Sequence, residues 1–298
     1  MRILKTSDYI EAVLYDYNQG LSTILNADIL LIRSPIRMGL DDLIRIEIDA
    51  LTNGEDEKRN RLAVLIETTG GYIEVVERIY RVFRKHYKEV DFIVPNYTYS
   101  AGTVLVMSGD NIYMDYYSVL GPIDPQMENS DGQLVPGLGY LAKFDELMRA
   151  INNAKTGETR TAELAYLIKK FDPALLFSLE QAKEHSVKLL EEWLPRHKFK
   201  NWKTTQDRQI PVTDQDRKDR ARKIAEILGS PQRWNSHGRG ITINELSSEE
   251  IKLQIENFGT HKGLADAIYG YYNLFIDYCQ RMDIKSALHS SKGLRRIA

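Results

Sequence analysis

Cysteine is all but missing from this chain. Cys279 stands alone, so no disulfide can form within the molecule and no thiolate cluster can hold a metal. Long hydrophobic runs are missing too. Ile29-Leu30-Leu31-Ile32 is among the longest, far short of the ~20 apolar residues that a membrane-spanning helix needs. Charge of one sign is not in excess, because 40 Lys and Arg face 42 Asp and Glu for a net charge of -2. Composition therefore carries no electrostatic footprint for nucleic acid. The opening Met1-Arg2-Ile3-Leu4-Lys5 has neither the apolar centre nor the cleavage site of a secretion signal. No Gly-x-x-x-x-Gly-Lys-Ser/Thr phosphate loop occurs, so energy-driven unfolding would require a separate partner protein. These absences set the expectation of a soluble, cytoplasmic protein with no membrane-spanning segment, no nucleic-acid partner, no metal and no cofactor.

What is present suffices for a substantial core, since hydrophobic residues make up 43% of the 298. Residues 1–26 read as a helical arm of mixed polarity. Ala27–Arg33 and Leu62–Ile66 are apolar runs of strand length, and Asp91–Val94 reads as a further strand. Between the last two, Ile73, Val76, Tyr80, Phe83 and Tyr87 recur at three and four, the signature of an amphipathic helix. Strand–helix–strand alternation implies parallel strands joined by crossover helices. Ala101–Ser108 is a helix of small and apolar residues, Asn111–Met114 and Ser118–Leu120 are short strands, and a loop with Pro136, Gly137 and Gly139 leads to a helix from Tyr140 to about Asn153. Beyond Gly157 the chain turns helical and charged, through Leu164–Phe171, Pro173–Trp193, Asp219–Leu228 and Leu264–Met282. Residues 195–218 show no period and read as a loop, and the basic tail Ser290–Ala298 reads as frayed. The division expected is an arm (1–26), an α/β core (27–155) and a mainly helical C-terminal extension (156–298).

The chemistry concentrates between Leu62 and Gln126. A buried strand runs into Thr68-Thr69-Gly70-Gly71, and a second strand runs into Ser100-Ala101-Gly102-Thr103 at the start of a helix. A serine hydroxyl is a poor nucleophile until a base takes its proton and donors receive the oxyanion. The N–H groups of Gly71 and Ala101 are the candidate donors, and losing one such donor typically costs ~2.7–4 kcal/mol of transition-state stabilisation. Either piece alone has a plain reading. A strand–Gly-Gly–helix turn also serves as packing geometry, and a serine before a helix is commonly an N-cap. The two together, separated by a crossover helix, point to acyl transfer at Ser100.

Thr68-Thr69-Gly70-Gly71, Tyr99-Ser100-Ala101-Gly102-Thr103 and Leu120-Gly121-Pro122-Ile123-Asp124-Pro125-Gln126 together resemble the serine-dehydrogenase-proteinase (SDH-type) family. That family belongs to the superfamily of the Clp peptidases and crotonases and is related to signal peptide peptidase A. The resemblance is close over residues 62–145, weaker over 27–61, and beyond 160 rests mainly on His237-Gly238-Arg239. It implies the ClpP/crotonase-like ββα superhelix, a nucleophile at Ser100, oxyanion donors at Gly71 and Ala101, a peptide or unfolded protein as substrate, and assembly into a homo-oligomer. The 17 tyrosines fit a surface for such assembly.

The base stays open between two residues. No histidine occurs between Ser100 and His185, which disfavours a Clp-type Ser-His-Asp triad. The signal-peptide-peptidase relatives use a lysine on a later helix, and Lys143 lies 43 residues beyond Ser100. Tyr140, Phe144, Leu147 and Ile151 form an apolar helix face with Lys143 at its edge, a setting that can desolvate the amine and lower its pKa. The plain alternative is a lysine stem snorkelling along the core. Lys155 is the next lysine. His237, between Ser236 and Gly238, is the rival base, or a structural histidine in a tight turn. Asp115 and Asp124 are candidates to orient a base, while His86, His185, His197, His261 and His289 read as surface or packing residues. Two other functions compete: a crotonase-like acyl-CoA hydratase or hydrolase using the same oxyanion hole, and an inactive scaffold of the same fold.

Overall fold

A computed structural model of the chain describes residues 5–53, 59–123, 126–128, 134–153, 172–205, 209–234 and 238–297. The first half alternates α1 (Thr6–Leu25), β1 (Asp28–Arg33), α2 (Leu40–Thr52), β2 (Arg61–Glu67), α3 (Ile73–His86), β3 (Glu89–Ile93), β4 (Tyr97–Thr98), α4 (Ala101–Val106), β5 (Asn111–Met114) and β6 (Val119–Leu120). A hairpin of β7 (Gln126–Glu128) and β8 (Leu134–Pro136) leads into α5 (Gly137–Asn153). The rest comprises α6 (Pro173–Arg196), α7 (Asp214–Leu228), α8 (Pro231–Trp234), β9 (Ile241–Thr242), α9 (Ile243–Leu246), β10 (Glu256–Asn257), α10 (Lys262–Arg281), β11 (Ala287–Ser290) and β12 (Gly293–Arg296). The protein is α/β with a mainly helical C-terminal part. Among the described residues no helix is long and apolar enough to cross a membrane.

The central sheet has the order β10-β5-β3-β2-β1-β11-β12. The pairs from β10 to β1 are parallel, and β11 and β12 are antiparallel to their neighbours. Strands buried on both faces read as continuous apolar runs, and β2 is buried from Leu62 to Glu67. Alternation still sorts its side chains. Leu62, Val64 and Ile66 join Leu30 and Ile32 in one core, under α2, α3, α6 and α7. Ala63 and Leu65 join Ile29 and Leu31 in the other, under α1 and α10. Each leucine or isoleucine so buried contributes roughly 1.5–3 kcal/mol. The helix α3 fits its sequence pattern: Ile73, Val76, Ile79, Tyr80 and Phe83 are buried, and Arg84, Lys85 and His86 close its last turn, where cations complement the helix dipole.

Two segments, the tail and the loop after Gln126, depart from the sequence reading. The tail is no frayed end, because Gly293–Arg296 pairs with β11 and β11 pairs with β1. Its polar groups find partners far back in the chain: Ser290 Oγ donates to Glu47, and Arg295 Nε lies 3.1 Å from the second Glu47 oxygen. The arm α1 packs along α10, with Leu14 and Leu21 fully buried. The loop after Gln126 holds the β7–β8 hairpin. The helix expected over Leu164–Phe171 lies outside the described residues.

Candidate active site

The serine turn is assembled where β2 and β4 run side by side. Thr68 N donates to Tyr97 O at 3.3 Å, and Tyr99 N donates to Thr68 O at 3.0 Å, so Thr68 and Thr98 face each other as parallel partners. The next residues cross to another neighbour. Ile36 N donates to Gly70 O (2.8 Å) and Tyr72 N to Ile36 O (2.9 Å), which makes Gly71 the parallel partner of Ile36. In such a bridge the central residue's own N–H points away from the strand that its neighbours bind. Gly71 is exposed, and its N–H donates to no described residue.

Glycine is required at both positions of this turn. Gly70 has φ of +92° and Gly71 φ of +150°, a region costly for other residues. A methyl group on Gly70 would lie 2.8 Å from Ser100 Cβ and 2.7 Å from Tyr99 O, and one on Gly71 would lie 2.0 Å from Ile36 O. The glycine turn therefore sits directly against the serine, as the spacing of the two motifs predicts.

Ser100 itself is held in an unfavourable conformation, φ 54° and ψ -122°. A non-glycine residue kept there costs of order 1–3 kcal/mol and persists only when its surroundings over-determine it. They do. Gly102 N donates to Tyr99 O and Thr103 N to Ser100 O, both at 2.9 Å. The Thr103 hydroxyl lies 3.0 Å from Thr98 O and 2.9 Å from Gly121 O. A methyl on Gly102 would come within 2.3 Å of Thr68 Cγ2 and one on Gly121 within 2.9 Å of Tyr99 Cα. These two glycines let α4 and the β6 exit close tightly on the turn. Ser100 is 7% exposed. Ala101 N, like Gly71 N, donates to no described residue. Ser100, Gly71 and Ala101 thus come together.

Most of the other candidates fall outside the described residues. Lys143 lies on α5, its side chain outside the described residues. His237, Asp124 and Lys155 are also outside them. Asp115 is committed elsewhere: one oxygen accepts from Tyr117 N, Ser118 N and Ser118 Oγ at 2.8–3.1 Å, and the other from the Tyr269 hydroxyl at 2.6 Å. His86 pairs with Thr52 and Asp49, His185 with Glu77, His197 with Tyr80 and His289 with Tyr271. Burial pushes both His197 and His289 down to about 4. Among the described residues no three His, Cys, Asp or Glu side chains are grouped as metal ligands.

One group was not foreseen. Glu67, the last residue of β2, is buried and accepts from Arg33 Nε (3.2 Å), Asn96 Nδ2 (3.0 Å) and the Tyr272 hydroxyl. A glutamate closing an apolar run reads as a solvated strand end, and its partners are scattered from Arg33 to Tyr272.

Among known proteins, an uncharacterized protein of Methanocaldococcus jannaschii is 37% identical over 70 residues, 24% of each chain. A second one from the same organism is 28% identical over 134 residues, 42% of this chain and 43% of its own. The match thus spans less than half the length of these relatives. Solved structures similar to part of the chain include the ClpP protease catalytic domain of Plasmodium falciparum, with TM-score 0.30 and 15% identity over 40% of this chain and 63% of that one. Another is the membrane-bound stomatin-specific protease 1510-N in complex with a substrate peptide, with TM-score 0.32 and 18% identity over 41% and 58%. Residues 40–135, the stretch that holds Gly70, Gly71, Ser100 and Ala101, match the family of ClpP-like SDH-type serine proteinases.

Proposed function

We propose that the protein is a serine peptidase that hydrolyses peptide bonds through an acyl-enzyme on Ser100, within a catalytic core of residues 27–155. The observation that carries this reading is the strained Ser100 backbone, packed on Gly70 and flanked by the N–H groups of Gly71 and Ala101, which donate to no described residue. Ser100 Oγ attacks the scissile carbonyl carbon and its proton passes to the base. The new oxyanion accepts from the two N–H groups, the leaving amine takes the proton, and water then releases the acyl group.

Lys143 is the base in this proposal. Its place on α5 supports it, as do the half-buried Tyr140, Phe144 and Leu147 on that helix. An amine must be neutral to accept a proton, so activity rises with pH until the Lys143 pKa is passed. The substrate is a peptide or unfolded segment, and the setting is cytoplasmic, with assembly into a homo-oligomer. The test is labelling of the purified protein with a fluorophosphonate probe, followed by peptide mapping. Labelling at Ser100 is expected in the wild type, absent in Ser100→Ala and nearly absent in Lys143→Ala. If Lys143→Ala keeps wild-type reactivity while His237→Ala loses it, the base is the histidine. Saturable binding of coenzyme A, with no labelling, would favour the acyl-CoA enzyme instead.

A further inference from the structure

A carboxylate is costly to bury unless its lone pairs are filled. Glu67 fills them from three segments: Arg33 at the end of β1, Asn96 before β4, and Tyr272 on α10. The residue after it, Thr68, holds Tyr97 and Tyr99 by its backbone on either side of Thr98, just before the serine turn, and Gly71 lies four positions beyond Glu67. Asn96 joins this node to a second one. Its side chain also reaches the Tyr272 hydroxyl at 3.2 Å, and its carbonyl accepts from Val119 N at 2.8 Å. Val119 opens β6, which pairs with β4 and follows the Asp115–Ser118 turn. Asp115 in that turn accepts from Tyr269. Tyr269 and Tyr272 are three residues apart and share one face of α10. The last long helix therefore grips the C-terminal ends of β2 and β5, on both sides of Ser100, by two tyrosine–carboxylate bonds.

We propose that α10 positions the serine site, Tyr272 acting through Glu67 on the Thr68–Gly71 turn and Tyr269 acting through Asp115 on the approach to β6. Tyr272 and Glu67 are positioning residues. They set the direction of the Gly71 N–H and the Ser100 backbone without touching substrate. The catalytic consequence rests on the serine-peptidase reading, whereas the structural one does not.

Two measurements on the full chain separate these. Fluorophosphonate labelling of Ser100 is expected to slow by about 10–100-fold in Tyr272→Phe and Glu67→Gln, the size of effect a small misplacement produces, with kcat lowered and KM retained on a peptide substrate. Amide hydrogen exchange is expected to quicken locally, over 68–72 and 99–103 in Tyr272→Phe and over 115–119 in Tyr269→Phe. Tyr278→Phe is the control, because Tyr278 makes the same kind of bond from the same helix to Glu11 on α1 at 3.0 Å. It should leave both readouts unchanged. Local exchange in Tyr272→Phe equal to wild type overturns the proposal. So does a uniform rise across the central strands with a lowered Tm, which marks plain destabilisation. A wild type that never labels at Ser100 sinks the peptidase reading, and exchange still judges the positioning.

Discussion

Ser100 carries opposite demands on one backbone. Its φ of 54° and ψ of -122° are tolerated by glycine and resisted by an L side chain. Replacing it with glycine should therefore raise stability over Ser100→Ala by about 1–2 kcal/mol, with both variants equally unreactive. Denaturant unfolding of the pair measures this, and equal midpoints would mean that the turn stores no strain. Such small residues were legible in advance, because Gly70, Gly71 and Gly102 in their spacing have few uses other than close backbone approach. Glu67 was not legible, and Asp115 reads in the sequence as a candidate to orient a base rather than as the partner of Tyr269. A buried carboxylate is recognisable only with its donors, and Tyr272 and Tyr269 lie more than a hundred positions away in each case. The proposed base, Lys143, is marked in the sequence by its distance from Ser100 and by the apolar face beside it, and its side chain lies outside the described residues.

The elements followed their periodicity wherever packing enforces it. The three-four pattern of α3 and the apolar run of β2 were read correctly because each is buried by neighbours of predictable kind. The strands β10, β11 and β12 escaped notice. They are two to four residues long, and two of the four buried residues of β11 are polar, His289 and Ser290, with partners in Tyr271 and Glu47. Helix contacts also carry a pH signature. His197 joins α6 to α3 through the Tyr80 hydroxyl at 2.9 Å, beside the Tyr80–Trp193 stack at 4.2 Å, and His289 joins β11 to α10. Burial lowers both to about 4, from the ordinary 6.5 of the unfolded chain. Between those values the unfolded state binds more protons, so stability is complete above pH 6.5 and is lost as pH falls toward 4. Thermal melts across that window should slope downward on acidification, with a shallower slope in His197→Gln. An identical slope in that variant would exclude His197 as a contributor.

The molecule as a whole is a sheet with a core on each face, one under α2, α3, α6 and α7 and one under α1 and α10. Large apolar side chains remain outside both: Tyr9, Met38, Tyr72, Tyr116, Tyr117 and Phe177 are more than half exposed. Exposed aromatics of this kind suit contact between copies and fit the proposed homo-oligomer. Light scattering on the purified protein should return a mass of several chains that Tyr116→Ser with Tyr117→Ser reduces. A monomer in the wild type would remove assembly from the proposal. The order in which the chain emerges from the ribosome adds a last consequence. Ser100 and its glycine turn are made early, but the partner of β1 and the tyrosine that grips Glu67 come only with residues 272 to 290. Until then one edge of the sheet is open and the node beneath the serine lacks its last donor. A half-made chain therefore carries Ser100 without its finished setting, and in the proposed peptidase the nucleophile would be held back until residues 272 to 290 are made.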